Sequence, residues 1–321
     1  MNKNATVPKY VGVDVAKATL QVHLQGHQIE FENTASGHIQ LCNKLRALTE
    51  PHVVCEATGG YEAAMAQAFH DANITVSVVN PAHVRAAAKA QGNRAKTDPL
   101  DAASLTDYGQ RFQPAPTPEV AALQRQIRHL VLWLKQLIDA MAVAKAQAEH
   151  QLDAFVKQQH AQLLTHYHQQ IKLTEQKVKT LLAQDHALQQ RLDCLMEIEG
   201  VGLRTALMVL AYMPELGTIN RGQAAALAGL APWTRDSGTM KGKRCIGGGR
   251  AEIRPVLYMS SLSSIRYNSI LKAFYKGLRE RNKPGKVALT AVMRKLLVYM
   301  NYKLKHLQSP LAEQKLQTPK L

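Results

Sequence analysis

The segment from residue 110 to residue 199 contains no glycine, and this feature most constrains how the chain folds. Proline is also missing between residues 119 and 213. Residues 119–199 therefore contain neither glycine nor proline, the two residues that most often interrupt helices. Apolar residues recur there at alternating intervals of three and four, first at Leu123, Ile127, Leu130, Leu134, Leu137 and Met141 and later from Leu164 to Leu195. That spacing is typical of a left-handed coiled coil. It predicts two long helices over 119–195, arranged either as a hairpin within one chain or as a dimer contact.

Residues 1–113 alternate between strand-like and helix-like patterns. Three strand-like runs, YVGVDVA, ATLQVHL and HQIEFEN, are followed by a helix, a strand, a helix, a strand and two further helices. This order predicts an α/β domain in which an antiparallel meander continues into parallel strands. A proline-bearing linker at 114–118 then leads to the coiled coil or helical hairpin at 119–195, a basic, mainly α-helical domain at 196–308, and a tail at 309–321.

Four carboxylates in the N-terminal domain occupy positions that suit a metal site. Asp14 interrupts the apolar run YVGVDVA, and Glu56 ends the run HVVCE. Asp98 and Asp101 are three residues apart at the start of a predicted helix, so they share one of its faces. Half-buried carboxylates need a cation, a proton or hydrogen-bond donors, and Mg²⁺ prefers oxygen ligands. Cleavage of a phosphodiester by two Mg²⁺ ions about 4 Å apart needs ligands from several chain segments, as this set would supply.

The net charge of +16 is concentrated in the C-terminal part of the chain. Residues 1–112 carry 10 basic and 10 acidic side chains, whereas residues 196–306 carry 19 basic and 6 acidic ones. Eleven of these basic side chains lie in residues 266–306, together with a single acid, Glu280. Such a concentration is typical of a surface that binds the phosphates of nucleic acid, although a merely solvated basic face has the same composition.

The composition also bears on where the protein works. No apolar run approaches the about 18 residues of a membrane span, and the start of the chain has no apolar signal core. The four cysteines, Cys42, Cys55, Cys194 and Cys245, are scattered, as is usual for reduced thiols rather than for a zinc site or a disulfide framework. We therefore expect a soluble, cytoplasmic, nucleoid-associated bacterial protein with no membrane partner.

Several motifs occur in an order that resembles a known family. They are YVGVDVAKATLQVHL, CEATGGYE, VNPAHVRAAAKAQGNRAKTDPLDA, IEGVGLRTA and the basic block RDSG with its following GGGR, and they span almost the whole chain. Together they resemble the DEDD insertion-sequence transposases of the IS110 (Piv/MooV) type. The acids also follow the order of the RNase H-like (RuvC-like) nuclease fold, with one on the first strand, one on the fourth strand and a pair on the last helix.

The resemblance implies specific roles and partners. Asp14, Glu56, Asp98 and Asp101 would be the DEDD quartet that holds two Mg²⁺ ions, with Mn²⁺ able to substitute. Ser237, in the RDSG loop, would be a second catalytic residue that forms a covalent phosphoserine link to the DNA backbone. Donor and target DNA would be paired by a structured guide RNA that the element encodes, a bridge RNA. Recombining two duplexes needs several active sites, so we expect a homodimer or a homotetramer.

Ser237 is weakly specified by the residues around it. A serine hydroxyl is a poor nucleophile unless a base or a metal activates it, and no histidine lies near Ser237 in the sequence. Activation would have to come from the distant acids, in the same chain or in a second copy. Basic side chains near the serine would neutralise phosphate at the reacting backbone; these are Lys241, Lys243, Arg244, Arg250 and Arg254.

Plainer interpretations stand beside this one. Asp98 and Asp101 are also residues that commonly start a helix, Glu56 could cap a turn, and Ser237 could be a structural loop serine. Two other functions follow from them. One is a metal-dependent nuclease that cuts branched DNA with activated water and forms no covalent intermediate, and the other is an architectural DNA-binding protein without catalysis.

Overall fold

The structure of the protein is a computed structural model, which describes residues 9–90, 98–233 and 244–307, with only the backbone described for residues 98–100. The described residues fall into two compact units, one within Met1–Val120 and the other within Ala121–Leu321. They contain twelve helices, a five-stranded sheet and a two-stranded sheet. Within the same ranges, no helix is both long and apolar enough to cross a bilayer.

The first unit is an α/β fold built on the five-stranded sheet. Its elements, in chain order, are β1 (Lys9–Val15), β2 (Thr19–Leu24), β3 (His27–Glu32), α1 (Ala35–Leu45), β4 (Pro51–Glu56), α2 (Ala63–Asp71), β5 (Thr75–Val79), α3 (Pro81–Ala90) and α4 (Asp98–Phe112). The strand order is β3-β2-β1-β4-β5. β1, β2 and β3 pair antiparallel, whereas β4 is parallel to both β1 and β5. The predicted meander and parallel strands are therefore confirmed, and the order is compatible with the RNase H-like fold.

The alternation of side chains in β1 separates two hydrophobic layers. Val11, Val13 and Val15 point into one core, which α1 and α2 cover with residues such as Leu41 and Phe69. The residues between these valines point to the opposite face, where a smaller cluster joins Val54, Val79, Val84 and Leu105. The sheet thus has helices on both faces, and α4 lies on the face opposite the valines of β1.

The second unit is mainly α-helical. Its elements are α5 (Ala122–Ala148), α6 (Ala154–Leu182), α7 (His186–Met196), α8 (Leu203–Tyr212), α9 (Arg221–Leu227), β6 (Pro232–Trp233), β7 (Cys245–Ile246), α10 (Ile253–Tyr267), α11 (Ser269–Glu280) and α12 (Gly285–Lys305). One hydrophobic core extends from Ile127 in α5 to Leu304 in α12. The segments predicted as a coiled coil and as a basic domain therefore share this core.

The two long helices α5 and α6 pack against each other within the chain. Of the two arrangements that the sequence allows, the structure shows the hairpin, and the left-handed supercoil stays a prediction. The later heptad run is interrupted, because the side chain of Asp185 accepts a hydrogen bond from the Leu188 amide (3.0 Å) and begins α7 as a new helix. Even so, every predicted seam position from Leu164 to Leu195 is buried or half-buried.

Candidate active site

Asp14 and Glu56 lie on the same face of the sheet at neighbouring positions. In the parallel pairing of β1 with β4, Val13 is opposite Cys55, so Asp14 and Glu56 are the next residues on each strand. Their Cα atoms are expected about 5 Å apart, the usual spacing of neighbouring strands. Since Val13 and Cys55 belong to the core under α1 and α2, both acids point to the face that α4 covers. Both are half-buried.

Helix α4 crosses this face antiparallel to β1. Near the end of α4, a Cβ atom on Gly109 would lie 2.6 Å from Cδ1 of Tyr10. Near its start, the carbonyl oxygen of Ala102 occupies the position that a Cβ atom on Gly12 would take. The helix therefore begins near the C-terminal end of β1 and ends near its start. Its first turn points toward the strand ends that carry Asp14 and Glu56.

Asp98 and Asp101 belong to that first turn. Asp98 is the first residue of α4, and its side chain lies outside the described residues, whereas Asp101 is half-buried. Asp101 is next to Ala102, which is fully buried against the sheet. The backbone thus brings the segment of Asp98 and Asp101 to the edge of the sheet where Glu56 ends β4 and Asp14 is the last but one residue of β1. Among the side chains that the structure describes, no three of the His, Cys, Asp or Glu type form a ready-made metal cluster.

Thr106 links α4 to the sheet through hydrogen bonds. It was not among the site residues predicted from the sequence. Its buried hydroxyl oxygen accepts a hydrogen bond from the Gly12 amide (2.8 Å) and lies 2.9 Å from Nδ1 of His23. This contact exists because Gly12 has no side chain and lets the helix backbone approach. A glycine between valines in a strand often indicates that another backbone segment lies close to it. The sequence does not tell which helix provides that segment.

Glu62 organises the loop that follows Glu56, and it was also missed as a candidate. Its carboxylate accepts hydrogen bonds from the Thr58 amide (3.1 Å), the Thr58 hydroxyl (2.8 Å) and the Gly60 amide (2.9 Å). Burial alone would raise the pKa of Glu62, but these hydrogen bonds outweigh it and hold the pKa below its ordinary value. The loop at the end of β4 is therefore held by its own hydrogen bonds to Glu62. These bonds restrict how the neighbouring Glu56 can move.

In the second unit, the segment with the candidate serine lies between two short strands. Ser237, Lys241 and Lys243 lie outside the described residues, within residues 234–243. The strands on either side, β6 and β7, pair antiparallel, with Trp233 opposite Cys245. Arg244, which precedes β7, is exposed. The structure thus places the described residues on either side of this segment, Trp233 and Cys245, next to each other.

Arg250 and Arg254 have partners inside the protein. The guanidinium of Arg250 forms two hydrogen bonds with the carboxylate of Glu215 (2.6 and 2.7 Å) and donates to the carbonyl oxygen of Tyr212 (2.5 Å). Burial would raise the pKa of Glu215, but the bonds from Arg250 keep it below its ordinary value. Arg254 donates to the carbonyl oxygens of Gly248 (2.7 Å) and Ala228 (3.3 Å). Both arginines hold the segment after the loop in place, and contact with phosphate stays a prediction for them.

The basic residues of the last three helices and their connections are largely exposed. Nine of the eleven between residues 266 and 306 are exposed. The other two are half-buried: Lys303 pairs with Glu197 (2.8 Å), and Lys295 lies 4.2 Å from the ring centre of Phe274. On α11, Lys272, Lys276 and Arg279 are exposed and follow one side of the helix at intervals of four and three. We call these three residues the α11 basic stripe.

Comparison with known proteins shows the family of the chain. Residues 11–157 match the IS110 DEDD model, described as a transposase, and residues 192–276 match the model of the transposase IS116/IS110/IS902 family. The chain is 30% identical to the pilin gene-inverting protein of Moraxella lacunata over 308 residues, which cover 90% of this chain and 93% of that protein. The pilin gene-inverting protein of Moraxella bovis matches to the same extent. The chain belongs to the IS110 family of transposases.

A shorter match is to a protein of an IS110 insertion element. A 43.6 kDa protein of the IS110 insertion element from Streptomyces coelicolor is 30% identical over 137 residues, 42% of this chain and 33% of that protein. The first family model covers all four acids, and the second covers Ser237 together with Lys272 and Lys276 of the α11 basic stripe. The candidate residues of this IS110 transposase thus lie in two separately matched regions.

The donor set of the acids fits Mg²⁺. All four candidates are carboxylates, which are the hard oxygen ligands that Mg²⁺ takes in proteins. They come from β1, the end of β4 and the first turn of α4, so that ligands from distant parts of the chain could hold an ion against a phosphodiester. Thiol and imidazole ligands, which would favour zinc, do not enter this set.

Replacing Gly12 by alanine is expected to impair both the fold and the activity of this transposase. The added methyl group would collide with the Ala102 carbonyl and lie 2.6 Å from the Thr106 amide nitrogen. Overpacking of this kind costs about 1–3 kcal/mol. It would also move the first turn of α4 away from Asp14. Denaturant unfolding and a recombination assay measure the two effects, and Gly277→Ala in α11, where an added Cβ atom meets no atom within 4 Å, serves as a comparison for unfolding. An unchanged unfolding midpoint for Gly12→Ala would contradict the close approach of α4.

Proposed function

We propose that this protein is a DNA recombinase of an insertion sequence that cuts and rejoins DNA strands. Asp14, Glu56, Asp98 and Asp101 hold Mg²⁺ at the reacting phosphodiester, and Ser237 is the nucleophile. An RNA encoded by the element pairs with donor and target DNA. The observation that carries the proposal is the direction of α4, because it brings the segment of Asp98 and Asp101 to the strand ends that bear Asp14 and Glu56.

The chemistry proceeds by two phosphoryl transfers. The Ser237 oxygen forms a bond to phosphorus while the bond from phosphorus to the oxygen of the leaving strand breaks. The serine proton passes to a base, for which the carboxylates are the candidates, and the leaving oxygen takes a proton. The hydroxyl of the incoming strand then attacks the phosphoserine, and Ser237 is released with its proton. Bound Mg²⁺ would stabilise the charge that develops on the phosphate oxygens. Because the bond energy is conserved in the serine ester, no ATP is needed.

This chemistry requires the catalytic groups to be brought together and more than one copy of the chain to act. Ser237 and the four acids must act on the same phosphodiester, within one chain or between two copies. Two duplexes that exchange strands present several phosphodiesters, which is why we propose a dimer or a tetramer. The exposed basic residues of α10, α11 and α12 provide a surface for the phosphates of DNA and of the guide RNA.

A second candidate is inversion of a DNA segment. The Moraxella relatives, which match over 93% of their length, are named for inverting a pilin gene. Inversion and transposition use the same cutting and rejoining steps and differ in how the recombining sites are placed. The residues described above therefore serve either outcome.

Reconstitution tests the proposed function. The purified protein is incubated with a plasmid that carries the ends of the element and a target site, together with the transcript of the element and Mg²⁺. Recombined junctions are then sequenced, which also distinguishes insertion from inversion. We expect products only with all components present. Products in the presence of a chelator would exclude the metal role, and products without the transcript would exclude RNA guidance.

Replacing the α11 basic stripe by glutamine is expected to weaken duplex DNA binding and to make it less sensitive to salt. Each phosphate contact contributes about 0.9 to the slope of log K against log salt. Loss of all three contacts should therefore reduce that slope by about 2 to 3. Titrations of a labelled duplex at several salt concentrations measure the change.

The matched control removes the same charge elsewhere. Lys172, Lys177 and Lys179 are exposed on α6, so their replacement by glutamine changes the net charge by the same amount. We expect the control to retain most of the salt dependence. If the two triple variants lose affinity equally, the α11 basic stripe is not a specific DNA surface.

A further inference from the structure

The two short strands beside the serine segment form an exposed ribbon. Pro232 and Trp233 of β6 pair with Ile246 and Cys245 of β7, and all four residues are exposed. We call these four residues the β6–β7 ribbon. Directly opposite residues of an antiparallel pair point to the same face, so Trp233 and Cys245 share one face of the ribbon.

The most unusual residue of the ribbon is Trp233. Its side chain is 64% exposed, although tryptophan usually buries most of its large surface. The ring is nevertheless held, because the indole Nε1 donates a hydrogen bond to the carbonyl oxygen of Gly247 (3.2 Å). The ring is therefore presented to solvent in a fixed orientation.

Two arginine side chains anchor the chain next to this ribbon. A pair of two-residue strands has little stability of its own. Arg254 donates to the carbonyl oxygen of Gly248, and Arg250 is fixed by Glu215, so both anchor the chain just after β7. These contacts anchor a ribbon whose own four residues are exposed. An arrangement of this kind is suited to contact with a partner.

The positive charge around the ribbon indicates what kind of partner it would bind. Arg244, next to Cys245, is exposed, and the surrounding segment from 196 to 306 carries 19 basic against 6 acidic side chains. Exposed aromatic rings among cations are the usual platform for single-stranded nucleic acid, because each base offers a face for stacking while the cations follow the phosphates. In a duplex, the faces of the bases are already stacked on one another and are not accessible.

We propose that Trp233 is a stacking platform for an unpaired base of a DNA strand. This inference rests on the proposed function, since cutting and rejoining two duplexes leaves bases unpaired near the reacting backbone. Trp233 precedes Ser237 by four positions in the sequence, so a base on Trp233 would position the strand that contains the reacting phosphodiester. Trp233 is a positioning residue in this account.

Tryptophan fluorescence tests the stacking directly. The chain has two tryptophans, and the other one, Trp133, lies on α5 and is 47% exposed. In a Trp133→Phe background, the emission comes from Trp233 alone. We expect it to be quenched by a single-stranded DNA oligonucleotide and left nearly unchanged by the same sequence as a duplex. In the matched Trp233→Phe protein, the emission of Trp133 should not respond. Quenching by duplex alone, by RNA but not by DNA, or by neither strand type would overturn the proposal.

The cysteine opposite Trp233 gives a second measurement. Cys42, Cys55 and Cys194 are buried, whereas Cys245 is exposed. Single-stranded DNA stacked on Trp233 should therefore slow alkylation of Cys245, as followed by mass spectrometry of the peptide. An unchanged alkylation rate at saturating DNA would place the bound strand elsewhere.

Substitutions separate stacking from a merely structural role. Phenylalanine at position 233 keeps an aromatic face but loses the hydrogen bond to Gly247, whereas leucine keeps bulk without an aromatic face. Since stacking on an aromatic side chain is worth about 1–3 kcal/mol per base, we expect Trp233→Leu to weaken binding of single-stranded DNA by roughly 5- to 140-fold, and Trp233→Phe by much less. Equal losses in the two variants would point to a structural role and overturn the proposal.

All these measurements are made without Mg²⁺ and can be repeated with Ser237→Ala protein, so no strand chemistry is needed. Recombination by a protein whose Trp233 does not respond to DNA would refute the stacking and leave the proposed function standing. Quenching without any recombination under complete conditions would refute the proposed function and leave the stacking standing.

Discussion

Replacing Asp14 by asparagine is expected to reduce DNA strand cleavage by about 10²- to 10⁴-fold, because loss of a metal ligand removes several kcal/mol of stabilisation from the transition state. Asparagine has nearly the same shape as aspartate, so β1 and its pairing with β2 and β4 should be preserved. The substitution therefore removes the negative charge of Asp14 and leaves the fold unchanged. Cleavage of a labelled DNA substrate in Mg²⁺ measures the loss, and circular dichroism confirms that the fold is kept.

The control for Asp14 is an acid in the same unit that has a local partner. Asp71, the last residue of α2, accepts a hydrogen bond from Gln67 (2.7 Å) at the surface, and Asp71→Asn should cleave DNA normally. Binding of Mg²⁺ to the native state should also raise Tm in the wild type and in Asp71→Asn, but not in Asp14→Asn. Full cleavage activity in the Asp14→Asn protein would rule out Asp14 as a metal ligand.

The fold of the first unit could be predicted from the sequence because its signals are local. The three strand-like runs and the two that follow became β1 to β5, since alternating or continuous apolar residues specify a strand and its buried face. The period of two is also enough to place Asp14 on the face opposite Val13. The break at Asp185 was missed, because an N-cap residue inside a heptad run looks like one more polar position.

The site was harder to predict, because it depends on contacts between distant segments. The direction of α4 follows from the fit of Ala102 against Gly12 and of Gly109 against Tyr10, which no local pattern encodes. Arg250 and Arg254 look like other basic residues in the sequence, yet Glu215 and three backbone carbonyl groups bind them within the protein. Charge pattern alone cannot separate an arginine that anchors a loop from one that is free to meet phosphate.

Replacing Ser237 by alanine is expected to abolish the covalent protein–DNA adduct and to reduce strand exchange by at least about 10³-fold, because the nucleophile itself is removed. DNA binding should be retained, since the exposed basic residues between 266 and 306 are unchanged. Labelled DNA that migrates with the protein on a denaturing gel measures the adduct, and mass spectrometry locates the modified residue. Thr239→Ala removes a hydroxyl two positions away and should leave the adduct intact.

The variants at Asp14 and Ser237 together decide between the mechanisms. A covalent recombinase loses cleavage in both variants. A nuclease that activates water at the acids loses cleavage in Asp14→Asn but keeps it in Ser237→Ala, and it forms no adduct in either. An architectural DNA-binding protein is unaffected by both changes and indifferent to Mg²⁺. Cleavage that persists in Ser237→Ala but stops in Asp14→Asn would therefore keep the four acids as the catalytic site and remove the serine from the mechanism.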